Sequence, residues 1–167
     1  VLIERNALNY AKNLFVLLAR VAMYVMMALL VGFTFWQLST SPDAIQDRLS
    51  VLFFAQAFLA FMSTAALPAF VEDRVIFVRE RLNGYFSPLP YGVSHTFVQL
   101  VSTTLLAVPF TLISYWMVDL NSSSAERVLY FMVMLYATLF VAESIVVAIS
   151  ALVPHYILGI AAAAALY

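Results

Sequence analysis

Cysteine is absent from this 167-residue sequence, and charge is scarce, with Lys+Arg 8 and Asp+Glu 9 making up only 10% of it. Without cysteine there are no disulfides, no thiol catalysis and no thiolate metal sites, and the redox compartment stays undecided. A net charge of -1 lacks the basic excess that a nucleic-acid partner would call for. His95 and His155 stand apart, neither at metal-ligand spacing from a second histidine or paired carboxylates, so no metal site is expected. What fills the chain instead is apolar: 65% hydrophobic residues and a mean hydropathy of +0.98, where a soluble domain has roughly 45–50% apolar and about 25% charged residues. This is the composition of a membrane chain. Val1 falls inside a patterned segment and Tyr167 inside an apolar run, so the sequence is expected to be part of something longer.

Charge-free intervals locate the spans, because a bilayer core needs about 20 apolar residues per helix and tolerates an ionised side chain poorly. They predict an all-α, polytopic transmembrane helical bundle forming one partial transmembrane domain over 1–167. Its parts are an interfacial helix over 1–13, spans over 14–38, 49–71, 91–118 and 127–150, and a truncated fifth span over 157–167. The stretch NGYFSPLP, Asn83 to Pro90, reads as turn chemistry, and span three as tilted or bent at Pro109. The loops STSPDAIQDR and DLNSSSAE must share one side of the membrane. Arg5, Lys12, Arg20, Arg74, Arg79 and Arg81 then face Arg48 and Arg127 across it, and six against two puts the N-terminus in the cytosol. Asn121 heads an N-S-S glycosylation sequon on the side this assigns as outside.

Two segments on the cytosolic side are amphipathic. Before span one, Ile3, Ala7, Tyr10, Ala11 and Leu14 recur at helical spacing, with Arg5, Asn9 and Lys12 on another face. That pattern suits an interfacial helix or a plain extension of span one. Between spans two and three, residues 72–84 carry six charges within ten positions. Val71, Val75, Val78 and Leu82 form one stripe of a helix there, Asp73 and Glu80 a second face, Arg74 and Arg81 a third, and Asn83-Gly84 a C-terminal cap. A solvated loop explains the arginines but not this ordering. A short helix with a docking surface explains both.

Within the spans, Glu143 is the one acidic residue at depth, expected to face other helices as a member of a structural hydrogen-bond network or of a conformational relay. No second ionisable group lies at comparable depth along the sequence, which disfavours proton coupling. Arg20 is expected to snorkel to the headgroups, and Gln56, Gln99, Ser102, Thr103 and Thr104 to hydrogen-bond between helices.

IQDRLSVLFF (Ile45 to Phe54), PAFVEDRVIFVRERLNGYFSPLPY (Pro68 to Tyr91), SYWMVDL (Ser114 to Leu120) and VAESIVVAISALVPHYILG (Val141 to Gly159) resemble successive landmarks of the membrane domain of ABCG-type (White/PDR subfamily) ATP-binding-cassette transporters. The RERLNGYF and AESIVVAISALVP segments are most similar to plant-like half-size members, and the resemblance runs the length of the chain in order. It implies that residues 72–84 are the coupling helix docking on a nucleotide-binding domain, with Glu72, Asp73, Arg74, Phe77, Arg79, Glu80, Arg81 and Gly84 in that element. It implies that ERNALNYAKN is the connecting helix, with Lys12 where arginine is frequent. It also implies a substrate cavity between spans two and five of two protomers, homo- or heterodimeric, to which Phe58, Phe61 and Ala164 belong, Phe58 where some members have a polar residue. A pair of Phe61 rings would suit sterol-like or lipid-like substrates, although a phenylalanine on such a helix also commonly faces lipid or packs a neighbour.

The leading expectation is therefore the membrane domain of a dimeric, ATP-driven exporter of apolar substrates, in the plasma membrane as the family suggests. No G-x-x-x-x-G-K-[ST] loop occurs, so this chain is not itself an ATPase, and ATP and Mg would belong to the nucleotide-binding domain elsewhere in the polypeptide. A membrane-embedded lipid-modifying enzyme would have to use Glu143, His95 and His155, which do not fall at one depth along the sequence. A channel or secondary transporter would show charge rings or repeated, interrupted spans, and none is seen.

Overall fold

The computed structural model describes residues 4, 5, 8, 14–38, 44–85, 87–120, 125–153 and 155–167. Its helices are α1 (Leu14–Thr34), α2 (Ile45–Ser63), α3 (Leu67–Leu82), α4 (Pro88–Val118), α5 (Ala125–Leu152) and α6 (Tyr156–Leu166), with a 3-10 turn, Thr64–Ala66, between α2 and α3. Among the described residues all regular structure is helical, as an all-α bundle requires. Four stretches are long and apolar enough to cross a membrane: Leu17–Thr34, Ile45–Leu82, Pro88–Val118 and Ala125–Leu152. Of the segment 1–13, Glu4, Arg5 and Leu8 are helical and the rest lies outside the described residues, as does Asn121.

One expectation about proline is corrected. The prolines of NGYFSPLP lie in the first turn of α4, which starts at Pro88, because a missing N–H costs nothing where no intrahelical acceptor exists. Pro109 sits within α4, which stays helical to Val118. Just past it, the hydroxyls of Thr111 and Ser114 donate to the carbonyls of Ala107 and Phe110 at 2.7 and 2.5 Å.

The 72–84 segment is also not a helix by itself. It is the far part of α3, which follows α2 through the 3-10 turn. Pro68 gives the reason: it cannot donate to the Thr64 carbonyl, so the α-helical ladder breaks and the Leu67 N–H takes that carbonyl instead.

In the bundle α1 lies along α4, α2 along α5, and α5 also touches α3, α4 and α6. A large core gathers Tyr24, Ala28, Ala55, Leu59, Leu106, Phe110, Phe131, Leu135 and Leu139. A second core joins Leu67 and Phe70 of α3 to Val146, Ile149 and Ala163. The bundle therefore has a charged end, marked by α3, and an opposite end. There the backbone N–H groups of Gln37 and Leu38 donate to the carbonyls of Met117 and Val118 at 3.2 and 3.1 Å. Arg48 adds a cation to these C-termini, donating to the carbonyls of Leu38 (3.1 Å) and Asp119 (3.4 Å). Outward faces are strongly apolar, with Met26, Phe53, Val101 and Val141 all exposed.

The contact of α1 with α4 is close enough to require glycine at position 32, where an added Cβ would stand 2.7 Å from the Met117 Cβ. Gly92, on α4, has nothing within 4 Å of such a Cβ. Gly32→Ala should cost about 1–3 kcal/mol through overpacking, whereas Gly92→Ala should be neutral or stabilising by up to about 1 kcal/mol. Thermal denaturation of the full-length protein in detergent checks both, and equal melting temperatures for the two variants would contradict the close approach.

Candidate functional site

Two groups of polar residues stand out against the apolar bundle. The first is the charged part of α3. Arg79 and Arg81 fall in the last turn of that helix, where a cation is favoured by the dipole. The chain then leaves the helix through Asn83 and Gly84, the latter at φ +75, which glycine adopts without strain. The N–H groups of Asn83, Gly84 and Tyr85 donate to the carbonyls of Arg79, Arg81 and Glu80 at 3.2, 3.0 and 3.2 Å.

The structure divides the eight residues read from this segment. Asp73, Arg74 and Phe77 are partly buried and, with Phe70, line a cavity against Tyr91 and His95 of α4 and the end of α5. Arg74 donates to the Ser150 carbonyl at 3.4 Å. Glu72, Arg79, Arg81 and Gly84 are exposed, as are Val75 (49%), Ile76, Val78 (45%) and Leu82 (82%). Of the apolar stripe expected from the sequence, Val75, Val78 and Leu82 thus form the outward face, flanked by charge, while Val71 is half-buried against the core around Leu67 and Phe70. Glu80 is held by Arg5, whose two terminal nitrogens donate to both carboxylate oxygens at 2.7 and 3.0 Å. This two-pronged pair ties the segment before α1 to the last turn of α3.

The second group lies deep in the bundle. Glu143 of α5 is 1% exposed and forms an ion pair with Arg20 of α1, itself 6% exposed. Arg20 therefore does not snorkel: its guanidinium points inward to the carboxylate. The other Glu143 oxygen accepts a hydrogen bond from the Thr103 hydroxyl at 3.0 Å, at the middle of α4. The Thr103 hydroxyl also lies 2.8 Å from the Gln99 backbone carbonyl, so its one proton is shared between the two acceptors, and Tyr24, one helical turn beyond Arg20, is fully buried. Three helices are thereby tied by one carboxylate. The view that Glu143 lacks an ionisable neighbour at its depth is corrected, since sequence separation hid Arg20, 123 residues away.

Of Gln56, Gln99, Ser102, Thr103 and Thr104, Thr103 alone carries out the expected hydrogen bonding between helices among the described residues. Ser102 Oγ and the Gln99 side-chain nitrogen are buried without partners among the described residues. Thr104 bonds back to the Leu100 carbonyl, 2.8 Å, within its own helix, and Gln56 is half-buried on α2. Phe58 is half-buried and stacks on Phe54 at 6.0 Å. Phe61 is 48% exposed and meets the ring of Tyr167 edge-on at 6.1 Å. Ala164 is exposed, while its neighbour Ala163 is packed inside. Tyr167 in turn joins α6 to the bundle, its hydroxyl donating to the Ala142 carbonyl at 2.8 Å and lying 3.2 Å from Ser63 Oγ.

Sequence reasoning missed Arg20 as a pairing partner and Tyr91 and His95 as cavity walls. One signal was available for the first: a charge several residues inside an apolar run is expensive, and two such charges of opposite sign are a pair waiting to be matched.

The whole chain, residues 1–167, matches the protein family described as ABC-2 type transporter. It is 29% identical over 164 residues to ABC transporter G family member 1 of Petunia hybrida, which covers 98% of this chain and 26% of that protein. ABC transporter G family member 11 of Arabidopsis thaliana is 34% identical over 163 residues, covering 95% of this chain and 22% of the relative. ABC transporter G family member 24 of Dictyostelium discoideum is 31% identical over 159 residues, covering 93% and 14%. The chain spans about a quarter or less of the length of these curated relatives.

The buried pair makes a sharp prediction. Removing one partner, as in Arg20→Met or Glu143→Leu, strands a charge in the bundle and should cost about 3–5 kcal/mol. Changing both together should recover most of that loss, since a matched apolar pair is near neutral. Melting temperatures of the three variants in the full-length protein test this, and a double variant no more stable than the worse single one would refute the coupling.

Proposed function

This chain belongs to the ABC-2 type transporter family and is a transporter membrane domain, and from that premise we propose that it moves lipid-like, sterol-like or other apolar substrates outward, driven by ATP hydrolysis. The hydrolysis takes place in a nucleotide-binding domain of the same polypeptide that presses on α3, with ATP and Mg bound there. A second protomer of the same kind completes the substrate path.

The observation that carries this reading is the outward face of α3, where Val75, Val78 and Leu82 are exposed between Glu72, Arg79 and Arg81 at one end of the bundle. An apolar stripe framed by charge of both signs suits a protein partner outside the bilayer, the apolar part supplying area and the charges register. The ion pair of Arg5 with Glu80 supports it, since a push on α3 is then passed to the segment that enters α1. α3 also follows α2 through only the 3-10 turn, so its displacement is passed on to Phe58 and Phe61. The six-to-two distribution of arginine and lysine supports a cytosolic position for α3 and for the N-terminus, and family membership suggests the plasma membrane.

Inside the bundle, Glu143 bonded to both Arg20 and Thr103 acts as a hinge pin through which α1, α4 and α5 shift together. The occupation of both its oxygens leaves little scope for a role as catalytic base in a lipid-modifying enzyme. The exposure of Phe61 on α2, beside Tyr167 of α6, supports a role for it in meeting substrate at the protomer boundary.

Arg79→Glu/Arg81→Glu in the full-length protein should lower substrate-stimulated ATP hydrolysis severalfold with little change in expression, because both side chains are exposed. Stimulation equal to that of the unmodified protein would count against docking at this face. Phe61→Ala should raise the substrate concentration needed for half-maximal stimulation while sparing basal hydrolysis. Loss of basal hydrolysis as well would make Phe61 a packing residue.

A further inference from the structure

Where α3, the first turns of α4 and the last turn of α5 meet, they enclose a partly open cavity of about 170 Å³. Phe70, Asp73, Arg74 and Phe77 line it from one face of α3, Tyr91 and His95 from α4, and Val147, Ser150 and Ala151 from α5. Four of these nine residues carry rings. Phe70 meets His95 edge-on with centroids 5.4 Å apart, Phe77 lies against Tyr91 at 4.4 Å, and Tyr91 stacks on His95 at 6.0 Å.

Two polar features distinguish this cavity from a packing defect. Among the described residues, the half-buried Asp73, which lines the cavity, has neither a hydrogen bond nor an ion pair, and His95 Nε2 is buried without a partner. Arg74, next in sequence, spends one N–H on the Ser150 carbonyl at 3.4 Å, and its guanidinium has further donors. A carboxylate among ring faces is the environment that attracts an organic ammonium, through charge and through the ring quadrupoles. A divalent metal would need several oxygen ligands, and the cavity offers one carboxylate. Its volume is below the range of roughly 300–1,000 Å³ typical of sites for drug-sized ligands, so it fits a headgroup and not a whole sterol.

Depth identifies the source. Tyr91 lies in the first turn of α4, and Ser150 and Ala151 lie in the last turn of α5, so the cavity sits where membrane-spanning helices end. We infer that it binds the headgroup of a zwitterionic phospholipid, phosphatidylcholine or phosphatidylethanolamine, from the leaflet at the charged end. Asp73 and the rings of Phe77 and Tyr91 take the ammonium, and Arg74 takes the phosphate. The charges of the two neighbouring residues match the two charges of the ligand, and the lipid bound there steadies the inner face of α3. This inference rests on the membrane position of the bundle and is independent of what the outward face of α3 docks against.

The test uses the full-length protein, delipidated in neutral detergent and titrated with short-chain phosphatidylcholine, the matching phosphatidylglycerol, or tetramethylammonium, with thermal stabilisation as the readout. Phosphatidylcholine is expected to raise the melting temperature at lower concentration than phosphatidylglycerol. Asp73→Asn and Tyr91→Leu should each weaken its apparent affinity about tenfold, and Arg74→Gln should weaken phosphatidylcholine but not tetramethylammonium. Both aromatic and acidic variants are included so that misfolding of one does not remove the test, the melting temperature without lipid reporting the fold of each. Equal stabilisation by the two lipids, or phosphatidylcholine binding insensitive to every one of these variants, overturns the assignment. So does stabilisation by tetramethylammonium with none by phosphatidylcholine, which would make the site one for soluble amines. Because no ATP hydrolysis is measured, failure here leaves the transport reading untouched, and failure of coupling at Arg79 and Arg81 leaves this one untouched.

Discussion

A guanidinium and a carboxylate cannot be left apart in an apolar bundle, and the pairing of Arg20 with Glu143 is the constraint around which this domain is arranged. Desolvating either alone would cost several kcal/mol, so α1 and α5 must bring them together. Thr103 then fixes α4 to the same carboxylate. The apolar contacts on either side follow from that placement. The large core of Tyr24, Leu59, Phe110 and Leu135 and the smaller one of Leu67, Phe70 and Val146 are nondirectional and admit many registers. The ion pair with its hydrogen bond admits very few. Directional bonding within the spans and nondirectional packing around it together hold α1, α4 and α5 to one another.

The charged segment of α3 shows how one short helix serves two surroundings. Residues spaced 70, 73, 74 and 77 form one stripe and look into the bundle, while 72, 75, 79 and 82 look away from it. The inner stripe has aromatic rings and an opposed pair of charges, the outer one an apolar band with charged borders. A helix with 3.6 residues per turn can meet both demands only if the types alternate at that period, as they do here. The Arg5–Glu80 pair adds a third attachment at the last turn, so that α3 is held by packing on one side, an ion pair at its end and the chain itself at its start.

Much of this was legible in the linear order of residues. The four spans, the helical character of 72–82 and its stop at Asn83 and Gly84 depend on local rules: charge-free length, helical period and the backbone freedom of glycine. Errors came where a local rule met a neighbour. SPLP looks like a turn by composition, yet Pro88 and Pro90 begin a helix, because proline suits a helix start as well as it suits a turn. Arg20 looks like a snorkelling residue because its distance to the headgroups can be counted along the chain, whereas its distance to Glu143 cannot.

The amino-acid order by itself determined that the protein lives in a bilayer and roughly where its four spans lie, since each follows from the free energy of putting a given side chain into hydrocarbon or into a given backbone conformation. The tertiary structure alone decided which polar residues meet: Arg20 with Glu143, Arg5 with Glu80, and Asp73 beside the rings of Tyr91 and His95. Helix–helix rotation and register set those meetings. In an apolar medium nearly all faces of these helices are equally oily, so no periodicity marks the face that turns inward, and only the packed bundle makes the choice.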